Sequence, residues 1–318
     1  MLPRFIELNN TVMIDPLFLA GPTAVGKSEV ALLLAEKLNG EIISVDSMQV
    51  YRGLDIGTAK PGAAERARVP HHLIDVAELN EPFDAARFCE LAREAVQQIQ
   101  ARGHRPIFCG GTGLYFKAFL EGIGEAPPSN GALRAELETT PLPVLLDELA
   151  TRDPVTFAKI DRQNPRRVVR AVEVIRLTGK PFSAQRSAWN ETDADAARLI
   201  VLSRPKPELD ARINARVDAM FAAGLVEETH GLLAKGLEQN PTAMQAIGYR
   251  QVVEHLRGER SLPETIELVK LRTRQFAKRQ MTWFRRQPAA WISVEENASA
   301  VAEKLLRTPF VDTSQPPV

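Results

Sequence analysis

Cysteine is scarce. Among 318 residues only Cys89 and Cys109 carry a thiol. They fall in a helical and a strand pattern with no ligand-like spacing, which excludes a disulfide framework and a cysteine metal site and leaves reduced, packed thiols as the expectation. The five histidines include the pair His71 and His72, but nothing near them has the spacing of a zinc set, so polar contact at a strand start is expected. No apolar run reaches the length of a membrane span. The segment "TVMIDPLFLA" is interrupted by Asp15 and Pro16, which argues against a signal peptide or anchor and for the cytoplasm. Net charge is lacking too: 40 basic and 40 acidic residues cancel, so the chain is not basic everywhere. No internal repeat or low-complexity tract is visible, and only the tail "TSQPPV" reads as disordered.

What is present is enough apolar sequence for a sizeable core. A composition of 44% hydrophobic and 25% charged residues suits a globular protein with one large domain or two modest ones. The runs "LFLA", "EIISV", "HLIDV" and "PIFCGG" alternate with helical patterns from about Ser28 and over Ala85 to Ala101, the βα rhythm of a parallel, doubly wound sheet. Two more strand candidates, "RLIVLS" at Arg198 and "AWISV" at Ala290, come much later, so the sheet is interrupted. Between them "LPVLLDELATRDP" and "PRRVVRAVEVIRLTGKP" show the three-to-four apolar spacing of helices. After Pro207 the chain is helical again, through "ELDARINARVDAMFAAGLVEE", "GYRQVVEHLRG" and a long basic helix. The expected fold is α/β: a P-loop parallel sheet core with a C-terminal helical section over 14–121 and 193–318, and an inserted helical subdomain over 122–192.

The phosphate loop is the sharpest local signal. Gly21, Pro22, Thr23, Ala24, Val25, Gly26, Lys27 and Ser28 fit G-x-x-x-x-G-K-[ST] between a strand and a helix. Glycines let consecutive N–H groups turn on an anion, and the helix that follows points its positive end the same way. Lys27 adds a point charge and Ser28 a hydroxyl suited to Mg²⁺. Thr23 either approaches the phosphates or bonds within the turn. Nucleotide-hydrolysing P-loop enzymes hold Mg²⁺ with an Asp ending a second strand, yet "PIFCGGTGLY" ends in Gly110, Gly111 and Thr112. The strand "EIISVDSMQVY" does end in an acid, Asp46, which a doubly wound sheet brings to the loop side. Asp46 reads as a magnesium ligand, a general base or a turn cap with Ser47.

Charge is unevenly distributed. "KLRTRQFAKRQMTWFRR" carries Lys270, Arg272, Arg274, Lys278, Arg279, Arg285 and Arg286 with no acid, and "QNPRRVVRAVEVIRLTGK" carries Arg166, Arg167, Arg170, Arg176 and Lys180 against Glu173 alone. Either tract by itself reads equally as a solvated helix face. Two together, with interleaved Phe276, Trp283 and Phe284 and the amides of Gln163, Asn164, Gln275 and Gln280, favour a nucleic-acid partner. Arg212 and Arg216, four apart on one helix face, are diphosphate candidates, with surface ion pairing the better reading for Arg212.

"GPTAVGKS", "ISVDSMQVYRGLDIGTAKP", "GGTGLY", "QNPRRVVRAVEV", "GYRQ" and "KRQMTWFR", running in order from Gly21 to about Arg286, together resemble the tRNA dimethylallyltransferases, also called tRNA isopentenyltransferases. The resemblance implies transfer of a dimethylallyl group from dimethylallyl diphosphate to N6 of adenine 37 beside the tRNA anticodon, with diphosphate rather than ATP in the loop. It implies Asp46 as base, Thr112 at the tRNA site, Arg216 on the diphosphate and Mg²⁺ as cofactor. The implied tRNA contacts are Asp46, Ser47, Met48 and Gln49; Thr112; Arg134; Gln163, Asn164, Pro165, Arg166 and Arg167; Gln245, Ala246, Ile247, Gly248, Tyr249 and Arg250; and Lys278, Arg279, Gln280, Met281, Thr282, Trp283, Phe284 and Arg285. The zinc-finger-like extension of eukaryotic members has no counterpart over Arg307 to Val318, which points to the bacterial, cytoplasmic type. No pattern demands a dimer, so a monomer bound to the anticodon stem-loop is expected. The rivals are a small-molecule or nucleoside kinase and an RNA-binding module that senses nucleotide.

Overall fold

The structure is a computed structural model that describes residues 14–122, 126–185, 199–294 and 297–307. The segment before residue 14, the start of "RLIVLS" at Arg198 and the tail beyond 307 lie outside the described residues. The chain divides into two compact units, Met1–Phe116 with Asp193–Val318, and Lys117–Thr192.

In the first unit the elements run β1 (Leu17–Ala20), α1 (Lys27–Leu38), β2 (Gly40–Val45), α2 (Ala63–Arg68), β3 (His71–His72), α3 (Ala85–Ala101) and β4 (Arg105–Gly110). The helix α4 (Gly113–Glu121) leads into the second unit, which contains α5 (Gly131–Thr139), α6 (Leu142–Arg152), α7 (Pro154–Lys159), α8 (Pro165–Thr178) and α9 (Phe182–Gln185). The first unit resumes with β5 (Leu199–Ser203), α10 (Lys206–Ala222), α11 (Leu225–Leu233), α12 (Tyr249–Leu256), α13 (Leu262–Phe284), β6 (Ala290–Ser293) and α14 (Ala298–Arg307). All sheet pairs are parallel, in the order β3-β2-β4-β1-β5-β6. This is the α/β class expected from the alternating patterns.

Strands β1 and β2 are apolar-rich and buried on both faces, as a parallel sheet covered by helices requires. Leu19, Val30, Leu34, Ile107, Leu202 and Ile213 pack one side of the sheet into a single cluster. Two expected elements differ in extent. Of the run "HLIDV" only His72 is strand, together with His71 in the two-residue β3, because Leu73 and Asp75 take left-handed φ values of 61° and 57°. The Asp75 carboxylate there binds Lys60 at 2.6 Å and Arg66 at 2.9 Å, so the chain leaves the sheet to brace the preceding loop. The run "ELDARINARVDAMFAAGLVEE" is two helices, parted at Gly224 with φ 99°.

Both cysteines are free and buried, and burial pushes their thiols up to about 11. His72 makes the polar contact expected of the histidine pair: its Nε2 lies 2.6 Å from Glu41 at the start of β2. Glu41 also accepts from Arg102 Nε (2.9 Å) and Nη2 (2.8 Å) and lies 2.7 Å from His104 Nδ1. Burial alone would push its carboxyl up, but these partners together outweigh it and bring it down to about 2. A carboxyl depressed in the folded state contributes stability that is complete above its unfolded value and drains as pH falls through the folded one. The urea midpoint should therefore decline from about pH 4.5 toward 2, and Glu41→Gln should flatten that decline. An unchanged acid slope in the variant would show that other carboxylates set it.

In the helical unit, Leu137, Leu145, Leu149, Val168, Val172 and Ile175 form a separate core. Glu173, fully buried, accepts from Ser129 Oγ (2.6 Å), Asn130 N–H (3.0 Å) and Arg170 Nη1 (2.8 Å). A buried charge held by this many donors is satisfied and ties the 127–130 segment to α8.

Candidate active site

Strand register decides which chain segments meet. Ala20 pairs with Gly110 and Gly110 with Val45, so the tips of β1, β4 and β2 end level with one another. Neighbouring strands lie about 4.8 Å apart, which sets the phosphate loop after β1 and Asp46 after β2 about 10 Å apart across the tip of β4. Between them lie Gly110 and Gly111, with the Gln280 side chain packed on Gly111. A Cβ on Gly110 would fall 2.1 Å from the Val45 carbonyl oxygen, and one on Gly111 would fall 2.2 Å from Gln280 Nε2. The "GG" in the position where hydrolytic P-loop enzymes carry an Asp is thus dictated by close packing.

The loop has the conformation its glycines allow. Gly26 has φ 108° and Ala24 φ 64°. Gly26 precedes α1, whose first N–H groups receive no side-chain cap. Uncapped amides at the positive end of a helix are an anion site. Around this loop the carbonyls are held by cations: Lys27 Nζ donates to Pro22 O (3.1 Å), Arg212 Nε to Ala24 O (2.9 Å) and Arg204 Nε to Val25 O (3.4 Å). Arg212 is therefore a loop-bracing residue, which corrects the reading of it as a surface ion pair. Arg216 Nη1 donates to Thr23 Oγ1 at 3.4 Å.

Burial lowers the Lys27 ammonium below the usual lysine range; Cys109 and Asp46 pull it back and Arg216 pushes it further down. Burial, followed by the charge of Arg212, also depresses Arg216. Among the described residues neither Lys27 nor Arg216 forms an ion pair with a carboxylate within 4.0 Å. Two partly desolvated, unneutralised cations beside open helix amides make a strong site for a polyanion. Ser28, the second residue of α1, is exposed at the loop.

Asp46 leaves β2 into a turn. Its Oδ1 accepts the N–H groups of Met48 (2.8 Å) and Gln49 (3.2 Å), so the turn cap weighed from sequence does form. No donor among the described residues reaches Oδ2. Thr112 locks this tip to β4: its N–H donates to Val45 O, and its Oγ1 accepts from Ser47 N–H at 3.2 Å.

Beside Thr112 opens a cleft of about 220 Å³ lined by Ser47, Gly111, Thr112, Gly113, Phe276, Arg279, Gln280, Trp283 and Phe284. That is below the roughly 300–1,000 Å³ of pockets that enclose drug-sized ligands and suits a single planar ring. Its walls explain another glycine. A Cβ on Gly113 would lie 2.3 Å from the Trp283 indole, so only glycine lets the ring lie against the backbone there. Phe284, fully buried, meets Trp283 edge-on at 5.2 Å and Phe116 at 6.3 Å, which anchors the end of α13.

Several residues expected to touch tRNA spend their side chains within the chain. Gln49 accepts from Ser44 Oγ (2.9 Å) and donates to Thr58 O (3.1 Å), bracing its own loop. Tyr249 is fully buried, donating to Glu228 at 2.6 Å and accepting from Gly57 N–H at 3.1 Å. Asn164 caps α8 by accepting from Arg167 N–H, with Pro165 in the first helical turn. Arg134 donates to Ser129 Oγ at 3.1 Å, within the Glu173 network. Ala246 and Gly248 are buried, whereas Gln163, Arg166, Arg167, Gln245 and Arg250 are exposed.

The basic tract of α13 also divides. Lys270 is held by Asp218 (2.7 Å) and Glu267 (3.0 Å), and Arg274 bonds Asn214. Lys278, Arg279, Thr282 and Arg285 are exposed at the cleft end, with Met281 and Trp283 half-buried. Arg279 lies over the Phe276 ring at 5.8 Å.

Sequence reasoning named Gln280 as a tRNA contact but not its place as the side chain that joins these parts. Gln280 Oε1 accepts Thr23 N–H at 2.9 Å, and its Nε2 donates to Gly111 O at 2.9 Å. One buried amide links the phosphate loop, the tip of β4 and α13. The "KRQ" run marks the residue, but nothing local names its partners.

Comparison with known proteins identifies the family. The family model described as "IPP transferase" matches residues 49–287. The tRNA dimethylallyltransferase 1 of Trichlorobacter lovleyi is 47% identical over 291 residues, covering 90% of this chain and 95% of its own length. The tRNA dimethylallyltransferase of Geobacter metallireducens is 48% identical, covering 84% and 88%. Among solved structures, the tRNA isopentenylpyrophosphate transferase of Bacillus halodurans matches with a TM-score of 0.65 at 38% identity, covering 91% and 94%. A eukaryotic dimethylallyltransferase acting on tRNA matches with a TM-score of 0.73 at 28% identity, covering 91% and 75%. No helix among the described residues is long and apolar enough to cross a membrane.

Proposed function

The chain belongs to the IPP transferase family, and on that footing we propose that it transfers a dimethylallyl group from dimethylallyl diphosphate to N6 of adenine 37 in the anticodon loop of tRNAs, giving N6-isopentenyladenosine. The observation that carries the chemistry is strand register: it sets a carboxylate oxygen with no donor among the described residues at the tip of β2 and a cationic loop after β1 on the same edge of the sheet, two strands apart. The diphosphate lies against the α1 amides, Lys27 and Arg216. Neutralising the departing charge leaves a carbocation-like allyl carbon, the main task in breaking an allylic C–O bond. Adenine N6 is a weak nucleophile because its lone pair is delocalised into the ring. Asp46 Oδ2 accepts its proton as the C–N bond forms.

Among the described residues no group of three or more His, Cys, Asp or Glu could hold a metal ion. Mg²⁺ keeps several waters and takes its other ligands mostly from phosphates, so the exposed Ser28 hydroxyl would be its protein donor. When bound it supplies further charge neutralisation on the diphosphate.

The adenine must leave its stack, and an anticodon loop makes that inexpensive because its bases are not paired in a duplex. The cleft beside Thr112 receives the ring, while Lys278, Arg279 and Arg285 contact backbone phosphates. The insertion over 122–192, with Gln163, Arg166 and Arg167 exposed, contributes further RNA contacts. A monomer working in the cytoplasm suffices for this reading. Incubation with labelled dimethylallyl diphosphate and unmodified tRNA tests it: label should enter the RNA and diphosphate should be released. An enzyme that consumes ATP and leaves the RNA unlabelled would be the rival kinase.

Replacing Lys278 and Arg279 together by Ala should weaken binding to all accepted tRNAs alike and reduce the slope of log affinity against log salt by about 1.5, as expected for two lost phosphate contacts. An unchanged slope in filter binding would take both residues off the phosphate path.

A further inference from the structure

We infer that Gln280 is a positioning residue that couples RNA docking on α13 to the anion-binding state of the phosphate loop; this rests on the function proposed above. Its side chain is 7% exposed and both ends of its amide are used. Thr23 N–H, which in a phosphate loop is free to turn toward the anion, is held by Gln280 Oε1 at 2.9 Å. The anion is thereby left to the amides at the start of α1. Fixing Thr23 also fixes its hydroxyl, the group that meets Arg216. At the other end of the same amide, Gly111 O receives Nε2 at 2.9 Å, and a Cβ at Gly111 would collide with that nitrogen. The glycine and the glutamine are matched: the bridge exists because the strand tip has no side chain.

Neighbours of Gln280 on α13 share the cleft with it. Lys278 and Arg279 are exposed, and Arg279 and Trp283 line the cleft beside Thr112. A helix that carries both the exposed charges and the strut of the phosphate loop cannot move without moving both. RNA that settles α13 settles Gln280, and Gln280 settles Thr23. Linkage then requires that RNA tighten anion binding and that the anion tighten RNA binding by the same factor.

The test is a binding cycle with inorganic pyrophosphate and an anticodon stem-loop, each titrated with and without the other. The native chain should bind pyrophosphate at least about fivefold more tightly when RNA is bound, within the usual range of coupling between sites. Gln280→Met keeps the bulk of the side chain and removes both hydrogen bonds. It should bring the factor close to one, whatever the change in affinity for each ligand alone, because the factor compares each ligand with and without the other on the same protein. Gln280→Glu can still accept from Thr23 but cannot donate to Gly111, and should retain only part of the coupling. A Gln280→Met protein that folds normally by circular dichroism and keeps the native factor would overturn the inference, as would a native factor of one. If Gln280→Met does not fold, Gln280→Glu decides by the same measure. A native chain that binds neither pyrophosphate nor RNA instead refutes the functional reading, so the two failures are distinct.

Discussion

Replacing Asp46 by Asn should slow single-turnover transfer by a hundredfold or more while leaving tRNA affinity near native. The size is that of a general base, about 2.7 kcal/mol or more of barrier. Asn is the informative substitution because the proposed mechanism gives Asp46 a second task beside its turn cap. Its Oδ1 caps the turn at Met48 and Gln49, and losing such a cap costs about 1 kcal/mol in stability. Asn keeps an oxygen for the cap and replaces the proton-accepting oxygen with an amide. Asp46→Ala removes both and should show the same kinetic loss with reduced stability. Rapid-quench measurement at saturating substrates, beside a melting curve, separates the effects. A native single-turnover rate in Asp46→Asn would remove the residue from the proton path.

Lys27→Met should reduce the same single-turnover rate by about a hundredfold to a thousandfold, the scale seen when one stabilising donor is taken from developing negative charge. Met preserves the aliphatic stem. The charge it removes is a desolvated ammonium with no carboxylate partner within 4.0 Å among the described residues, whose only hydrogen bond there is to Pro22 O. The loss should therefore fall on diphosphate affinity and on the chemical step, with tRNA binding alone unaffected. An equal loss in tRNA affinity would point to collapse of the loop, and an unchanged rate would place the neutralising charge elsewhere, with Arg216 next in line.

The two substitutions probe opposite ends of one line of charge, from the departing anion to the departing proton. They also lie on segments that sequence alone brings to attention, the phosphate loop and the acid after "EIISV". Their meeting follows from the parallel sheet, since strands paired Ala20 to Gly110 to Val45 must end together.

How far sequence reasoning reached depends on how local each feature is. Helix α3 spans the expected Ala85 to Ala101, because its apolar spacing and its cap by Asp84 both lie within the segment. β1, β2, β4, β5 and β6 lie where hydrophobic runs flanked by turn residues put them. The run "HLIDV" fell short as a strand because Asp75 prefers Lys60 and Arg66, partners set by the path of a loop. Residue types were legible at the site, but their division of labour was not. Gln49, Tyr249, Asn164 and Gln280 sit in motifs of the family, yet their side chains are occupied by Thr58, Glu228, Arg167 and Thr23.

By itself the sequence determined the α/β class, the phosphate loop, the acid at the second strand tip and the family. The first three are written in periodicity or short spacing, which the backbone reads within a few residues; the family comes from the resemblance of six motifs taken in order. Only the tertiary structure decided that Arg212 braces the loop, that Gly111 leaves room for the Gln280 amide, and that Gln280 ties α13 to Thr23 across 257 positions of chain. A buried polar group takes whichever partner packing brings within hydrogen-bond reach, and that choice is made after strands and helices have assembled.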